Sequence, residues 1–238
     1  MDLFPAIDLR EGRAVRLYQG DYDRMTVYNP DPAAQARAVE AAGARCLHVV
    51  DLDGARDGTT ANLESIRAIA GGCGLYIEVG GGIRDEARIE TYLAMGVDRC
   101  ILGTIAVKDF GFTARMARKY GPRIAVGVDL RDGCVAVAGW REVTPEPGLD
   151  FCRRCADAGV QAIIATDISR DGTLRGTNLE LYRALLQIPG LRVTASGGIA
   201  RMEELAKLSA MGCHGAILGQ SIYTGAIDLA EAVRRYQS

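Results

Sequence analysis

Residues 41–64 read AAGARCLHVVDLDGARDGTTANLE, and residues 157–180 read DAGVQAIIATDISRDGTLRGTNLE. Aligned without gaps, both carry Ala-Gly near the start, an apolar run that stops at an aspartate (Asp51 or Asp167), and a closing Asn-Leu-Glu. From residue 41 to residue 157 is a displacement of 116, and two further pairs share it: VGGGIR (79–84) with ASGGIA (195–200), and ILGT (101–104) with ILGQ (217–220). PAIDLREGRAVRL (5–17) and VGVDLRDGCVAVA (126–138) form a fourth pair, which sets Asp8 against Asp129 at a displacement of 121, a difference of a few residues of loop. Each of these two runs apolar into its aspartate and then reaches an acidic-Gly turn, Glu11-Gly12 or Asp132-Gly133.

Around these repeats, short apolar or β-branched runs alternate with amphipathic stretches along the whole chain, the pattern of βα units on a parallel sheet. The strand candidates are 3–8, 46–51, 75–80, 100–103, 124–129, 162–167, 192–197 and 216–219. Helix candidates include DPAAQARAVEAAG (31–43), DEARIETYLAMG (85–96) and MEELAKLSAMG (202–212), each closing on a glycine suited to a C-terminal cap. Eight such units in 238 residues match a (β/α)8 TIM barrel of roughly 250 residues. An open doubly wound sheet would carry a Gly-rich G-x-G-x-x-G turn after its first strand, and nothing after Asp8 supplies one. With no linker in the sequence, residues 1–238 are expected to form one α/β domain of two duplicated (βα)4 halves, with units one and five facing each other.

The composition, 48% hydrophobic and 24% charged, is that of a globular chain with a sizeable core. A net charge of −2 gives no basic field for nucleic acid or an anionic membrane. No apolar run approaches the roughly 18 residues of a membrane span, and MDLFPAID has neither the basic start nor the apolar stretch of a signal peptide, so a cytoplasmic location is expected. Seven cysteines are expected to be reduced thiols, Cys152 and Cys155 being two thiols on a helix. The two histidines, His48 and His214, lie near no metal-ligand cluster and are expected to be packing residues. With imidazoles scarce, carboxylates are the expected agents of any proton transfer.

Active sites of such barrels form at the C-terminal ends of the strands, where loops after the last strands commonly hold phosphate. Gly197 and Gly198 follow the seventh strand, and Gly219 and Gln220 follow the eighth. Through the repeat, Gly81 and Gly82, with Gly103 and Thr104, form a matching set on the opposite rim. A ligand with a phosphate at each end fits that symmetry. Between the rims, Asp8, Asp51, Asp129 and Asp167 end strands, and pattern alone leaves open whether the pair on units one and five or the pair on units two and six does chemistry. Arg16 and Arg84 are the cations best placed to meet a phosphate or the middle of a ligand, and Trp140, the one tryptophan, could stack on a flat heterocycle.

PAIDLREGRAVRLYQGDY (5–22), HVVDLDGA (48–55), VGGGIR (79–84), GW (139–140), TDISRDGTLRGTNLELY (166–182) and SGGI (196–199) resemble the phosphoribosylformimino-5-aminoimidazole carboxamide ribotide isomerases of histidine biosynthesis, over essentially the whole chain. The resemblance implies a cofactor-independent Amadori rearrangement of a bis-phosphorylated aminoaldose to the aminoketose. It implies Asp8 as general base at C2, Asp129 as general acid at the ring oxygen, and Thr166 as an assisting hydroxyl. Asp51 and Asp167 then revert to structural duty. The same motifs bring in Gly20, Asp171, Gly172, Thr173 and Gly176 as substrate-binding positions. Two departures stand out: Gln220 where the family has a basic residue after the glycine, and Glu78 where it more often has glutamine.

The sister cyclase of the same pathway would carry a lysine-bearing loop in place of RLYQGDY and would lack the Gly-Trp pair. An isomerase that also accepts phosphoribosylanthranilate, and a non-catalytic sugar-phosphate-binding barrel, are the other readings. The last would have no use for Asp8 and Asp129. The expected protein takes a small bis-phosphate substrate and acts as a monomer with no cofactor, metal, nucleic acid, membrane or obligate protein partner.

Overall fold

The structure, a computed structural model, describes residues 1–18 and 21–237, so Gly20 lies outside the described residues. The described strands are β1 (Asp2–Arg10), β2 (Arg13–Tyr18), β3 (Asp21–Asn29), β4 (Cys46–Asp51), β5 (Tyr76–Gly80), β6 (Arg99–Leu102), β7 (Ile124–Arg131), β8 (Cys134–Val137), β9 (Glu142–Pro147), β10 (Ala162–Asp167), β11 (Arg192–Ser196) and β12 (Gly215–Leu218). The helices are α1 (Pro32–Ala41), α2 (Leu52–Asp57), α3 (Leu63–Gly72), α4 (Glu86–Ala94), α5 (Thr104–Lys108), α6 (Phe110–Tyr120), α7 (Gly148–Asp157), α8 (Leu179–Leu185), α9 (Met202–Ala210), α10 (Gln220–Tyr223) and α11 (Leu229–Tyr236).

Strands β1, β4, β5, β6, β7, β10, β11 and β12 pair in parallel in that order, and β12 returns to β1, closing the (β/α)8 barrel. The 116-residue displacement holds to the residue: β4, β5, β6 and α4 map onto β10, β11, β12 and α9 with both ends matched. Alternate side chains face inward and outward along each strand. Leu47, Val49, Ile77 and Val79 face out and pack with helix residues such as Ile66, Ile69, Ile89 and Tyr92. Inside the ring, Phe4, Ala6, Ile101, Ile164 and Ile217 fill the space.

Helix ends follow the local chemistry of the sequence. Asp31 caps α1 by accepting from the Ala34 amide at 3.0 Å, and Asp85 caps α4 through the Arg88 amide at 2.9 Å; such a cap contributes about 1 kcal/mol. The three expected helices end a residue or two before Gly43, Gly96 and Gly212, which take left-handed backbone at φ 90°, 97° and 84°.

The acidic-Gly turns do something the sequence pattern did not foretell. They do not end β1 and β7 but reverse them into hairpins, β1–β2 and β7–β8, with β3 and β9 added beyond. Glu11 and Gly12 have φ of 51° and 75°, and Asp132 and Gly133 have 52° and 81°. Two consecutive positive φ angles give the reversal whose twist matches antiparallel strands. Cys152 and Cys155 are buried free thiols on α7, and His214 Nε2 lies 3.5 Å from Asp2. Among the described residues no helix is long and apolar enough to cross a membrane, and no cluster of three His, Cys, Asp or Glu could hold a metal ion.

Candidate active site

A cavity of about 670 Å³ opens where the barrel strands end, within the range of small-ligand sites. It is lined by Asp8, Arg16, Gly81, Gly82, Arg84, Gly103, Thr104, Asp129, Trp140, Thr166, Asp171, Gly172, Gly197, Gly198, Gly219 and Gln220. Its floor is the upper layer of the barrel interior, with Ala6, His48, Ile101, Gly127, Ile164 and Ile217.

Asp8 and Asp129 share this cavity in unequal surroundings. Asp8 Oδ2 accepts from Arg16 Nη1 at 2.8 Å, both side chains being largely buried, so this carboxylate meets a full positive charge. The guanidinium is itself held by the Ala6 carbonyl at 2.9 Å and lies over the Tyr223 ring at 5.1 Å. Asp129 has neutral partners instead. Trp140 Nε1 donates to its Oδ2 at 2.8 Å, and Thr166, its register partner on β10, donates through its hydroxyl. Burial pushes the Asp129 carboxyl up, against the downward pull of those two donors and of His48. Trp140 therefore contacts the carboxyl directly, on a backbone held at φ 68°.

The glycines of the rim are demanded by close packing. A Cβ on Gly81 would stand 2.2 Å from the Asp51 carbonyl oxygen, and one on Gly197 2.8 Å from the equivalent oxygen of Asp167. Their φ angles are 102° and 89°. Each half thus presses its glycine loop onto the loop from the preceding strand, which leaves backbone rather than side chains at that edge of the cavity. Thr104 also accepts from the Ala138 amide at 3.0 Å, tying the α5 end to the β8–β9 loop.

Cations distribute unevenly between the two rims. Arg56, Arg84 and Lys108 line the cavity on the first half, whereas the residues 116 further on are Gly172, Ala200 and Thr224. On the second half the cation comes from the hairpin: Arg16 lies so close to Gly219 that a Cβ there would meet Nη2 at 2.9 Å. This is where Gln220 stands in place of the expected basic residue.

The loop after β10 divides. Asp171 and Gly172 line the cavity, and burial raises the Asp171 carboxyl to about 6, opposed by Arg16 and reinforced by Asp8 and Asp129. Thr173 and Gly176 do not line it. The Thr173 hydroxyl donates to the Arg170 carbonyl at 2.6 Å, and the Gly176 amide donates to the Gly198 carbonyl at 3.2 Å, so both are spent on folding the loop. Asp51 and Asp167 are likewise occupied: Asp51 caps α2 through the Gly54 amide at 2.9 Å and accepts from Asn62 at 2.7 Å, and Asp167 accepts from Asn178 at 2.8 Å.

Several lining residues were not expected from the sequence. Tyr22 donates to the Leu52 carbonyl at 2.9 Å, with the guanidinium of Arg10 5.3 Å and that of Arg56 5.7 Å from its ring. Lys108 and Arg141 add charge at the rim. His48, expected only to pack, lines the floor, with Nδ1 2.7 Å from Glu78 Oε1. The signal was available: His48 follows Cys46 by two residues in an otherwise apolar strand, which sets it on the inward face.

The profile of a family described as histidine biosynthesis protein matches residues 2–228. The chain is 46% identical over 233 residues, 98% of each chain, to a protein of Brachyspira hyodysenteriae named 1-(5-phosphoribosyl)-5-((5-phosphoribosylamino)methylideneamino)imidazole-4-carboxamide isomerase. Proteins of the same name from Syntrophotalea carbinolica and Dinoroseobacter shibae are each 48% identical to it, covering 98% of this chain and 97% and 98% of their own.

Proposed function

The chain belongs to the histidine biosynthesis protein family, and from that premise we propose that it is an isomerase acting on the bis-phosphorylated ribotide that its relatives' name describes. The reaction is the Amadori rearrangement of the aminoaldose to the aminoketose. Asp129 protonates the ribose ring oxygen, the C1–O bond breaks, and the glycosylamine nitrogen's electron pair forms a C1=N iminium. Asp8 then removes the C2 proton, giving an enolamine whose C2 hydroxyl gives up its proton as C1 takes one, leaving the C2 ketone.

The observation that carries this reading is the inequality of two carboxyls in one cavity. Asp8 is ion-paired with Arg16, while Asp129 is buried among neutral donors with its carboxyl raised, an environment that favours holding a proton. The glycine loops at the two rims, with Arg84 and Lys108 at one and Arg16 at the other, suit the two phosphates. Thr166 assists by hydrogen bonding Asp129. Trp140 holds Asp129 and borders the space for the heterocycle.

Purified protein incubated with the aminoaldose ribotide, without ammonia or glutaminase, is expected to form the aminoketose. A parallel incubation with phosphoribosylanthranilate reads out breadth of substrate. No conversion of either would overturn the isomerase reading. The enzyme is further proposed to act in the cytoplasm as a monomer with no obligate protein partner; light scattering on the eluting protein checks the monomer.

A further inference from the structure

Across three adjacent barrel strands, one row of register partners carries an unbroken polar chain. His48 on β4 pairs with Glu78 on β5, and Glu78 with Arg99 on β6. Arg99 donates to Glu78 Oε2 through Nε at 2.8 Å and also through Nη2, and Glu78 Oε1 lies 2.7 Å from His48 Nδ1. Glu78 is fully buried and Arg99 nearly so, the guanidinium standing 5.6 Å from the rings of both Phe4 and Tyr76. Only His48 reaches the cavity.

Burial alone would push the Glu78 carboxyl up, but His48 and Arg99 hold it below its ordinary value. An ionised carboxylate only accepts hydrogen bonds. The proton between it and His48 must therefore sit on Nδ1. In the neutral imidazole the other nitrogen, Nε2, is then a bare acceptor, and among the described residues it has no hydrogen-bond partner. A glutamine at position 78 could offer either an N–H or an oxygen, and would not dictate this form.

The repeat supplies an internal control. The positions 116 residues on are Ile164, Thr194 and Gly215, and the last leaves room for the Phe4 ring, 2.8 Å from where its Cβ would be. None of these three residues carries a charge. A buried ion pair stabilises no more than well-packed apolar residues, so packing does not account for a chain that one half has and the other lacks. It ends at His48, which lines the cavity.

We propose that Arg99 and Glu78 are positioning residues that lock His48 in its Nδ1–H form, so that its Nε2 accepts a hydrogen bond from a central hydroxyl of a sugar-phosphate ligand. This rests on the reading of the cavity as a sugar-phosphate site. His48 would orient the hydroxyl-bearing carbons between Asp8 and Asp129.

The chain has two histidines, so nitrogen-15 spectra of the His214→Gln protein isolate His48. Neutral His48 is expected to be protonated at Nδ1 and bare at Nε2. Ribose 5-phosphate is expected to move the Nε2 resonance toward that of a hydrogen-bonded nitrogen, while inorganic phosphate, which offers no sugar hydroxyl, leaves it in place. Glu78→Gln is expected to give a mixture of the two neutral forms, and His48→Ala to lower kcat/KM on the ribotide roughly tenfold, the loss of about one hydrogen bond. An Nε2–H form in the unsubstituted pair, or an Nε2 resonance that no concentration of ribose 5-phosphate moves, overturns the proposal even if Glu78→Gln does not fold. A protein that passes this test yet converts neither ribotide keeps the His48 arrangement and loses the isomerase reading; an active isomerase that fails it loses the His48 arrangement alone.

Discussion

At the scale of single residues, the decisive fact is that two aspartates with equivalent places in a repeat have different neighbours. Arg16 reaches Asp8 from β2, and Trp140 reaches Asp129 from the loop beyond β8. Asp8→Asn and Asp129→Asn are each expected to keep ligand affinity within a few-fold and to lower kcat by about 10² to 10⁴, the usual share of a general acid or base; calorimetric titration with the ribotide and steady-state turnover separate the two effects. Asp171 gives a pH signature of stability. Its folded value of about 6 lies above the unfolded aspartate's, near 3.9. The stability its proton contributes is thus fully present below about 4 and lost as pH rises through about 6. Asp171→Asn is expected to be more stable than the unsubstituted protein at pH 7 by on the order of 3 kcal/mol, with the advantage largely gone at pH 4. Melting temperatures at the two pH values check this. The aspartates themselves were legible as strand ends. Their difference was not, because it is made by side chains brought in from other strands and loops.

At the scale of elements, Asn62 couples the first hairpin to the barrel. It donates to Asp51 at 2.7 Å and to Asp53 at 3.0 Å, and accepts from the Gly12 amide at 2.9 Å, while Asp53 accepts from the Glu11 amide at 2.7 Å. Asn178, its partner in the repeat, bonds to Asp167 and caps α8 through the Leu181 amide. Asn62→Ala leaves the Gly12 amide without its acceptor and takes one donor each from the buried Asp51 and Asp53 carboxylates, and is expected to cost about 1–3 kcal/mol in urea unfolding. Because this hairpin carries Arg16, Asn62→Ala is also expected to lower kcat/KM more than Asn178→Ala. The barrel strands were readable because they are short apolar runs whose ends recur. The hairpin strands were not: β9 reads EVTPEP, largely exposed and with two prolines, which gives no period-two signal.

At the scale of the molecule, the duplication makes two rims of one shape and two different charges. Arg84 lies against Gly58, where a Cβ would stand 2.6 Å from its Cζ, and the second half has Ala200 in its place. Arg84→Ala is expected to raise KM for the ribotide roughly tenfold with kcat little changed, the mark of an interaction made equally in the ground and transition states. Raising the salt concentration is expected to weaken binding in the unsubstituted protein more than in this variant, since an exposed cation is screened.

The sequence by itself determined the barrel, its duplication, the positions of the two carboxylates and the glycine loops. All of these are properties of periodicity and of residues that meet their partners through local or repeated geometry. Tertiary structure alone decided which carboxylate faces a cation, that Arg16 stands beside Gly219 where Gln220 brings no charge, and that His48 ends a buried chain from Arg99. Those depend on hydrogen bonds and charges between strands distant in sequence, whose reach is set by how the barrel closes and how far each hairpin projects over it.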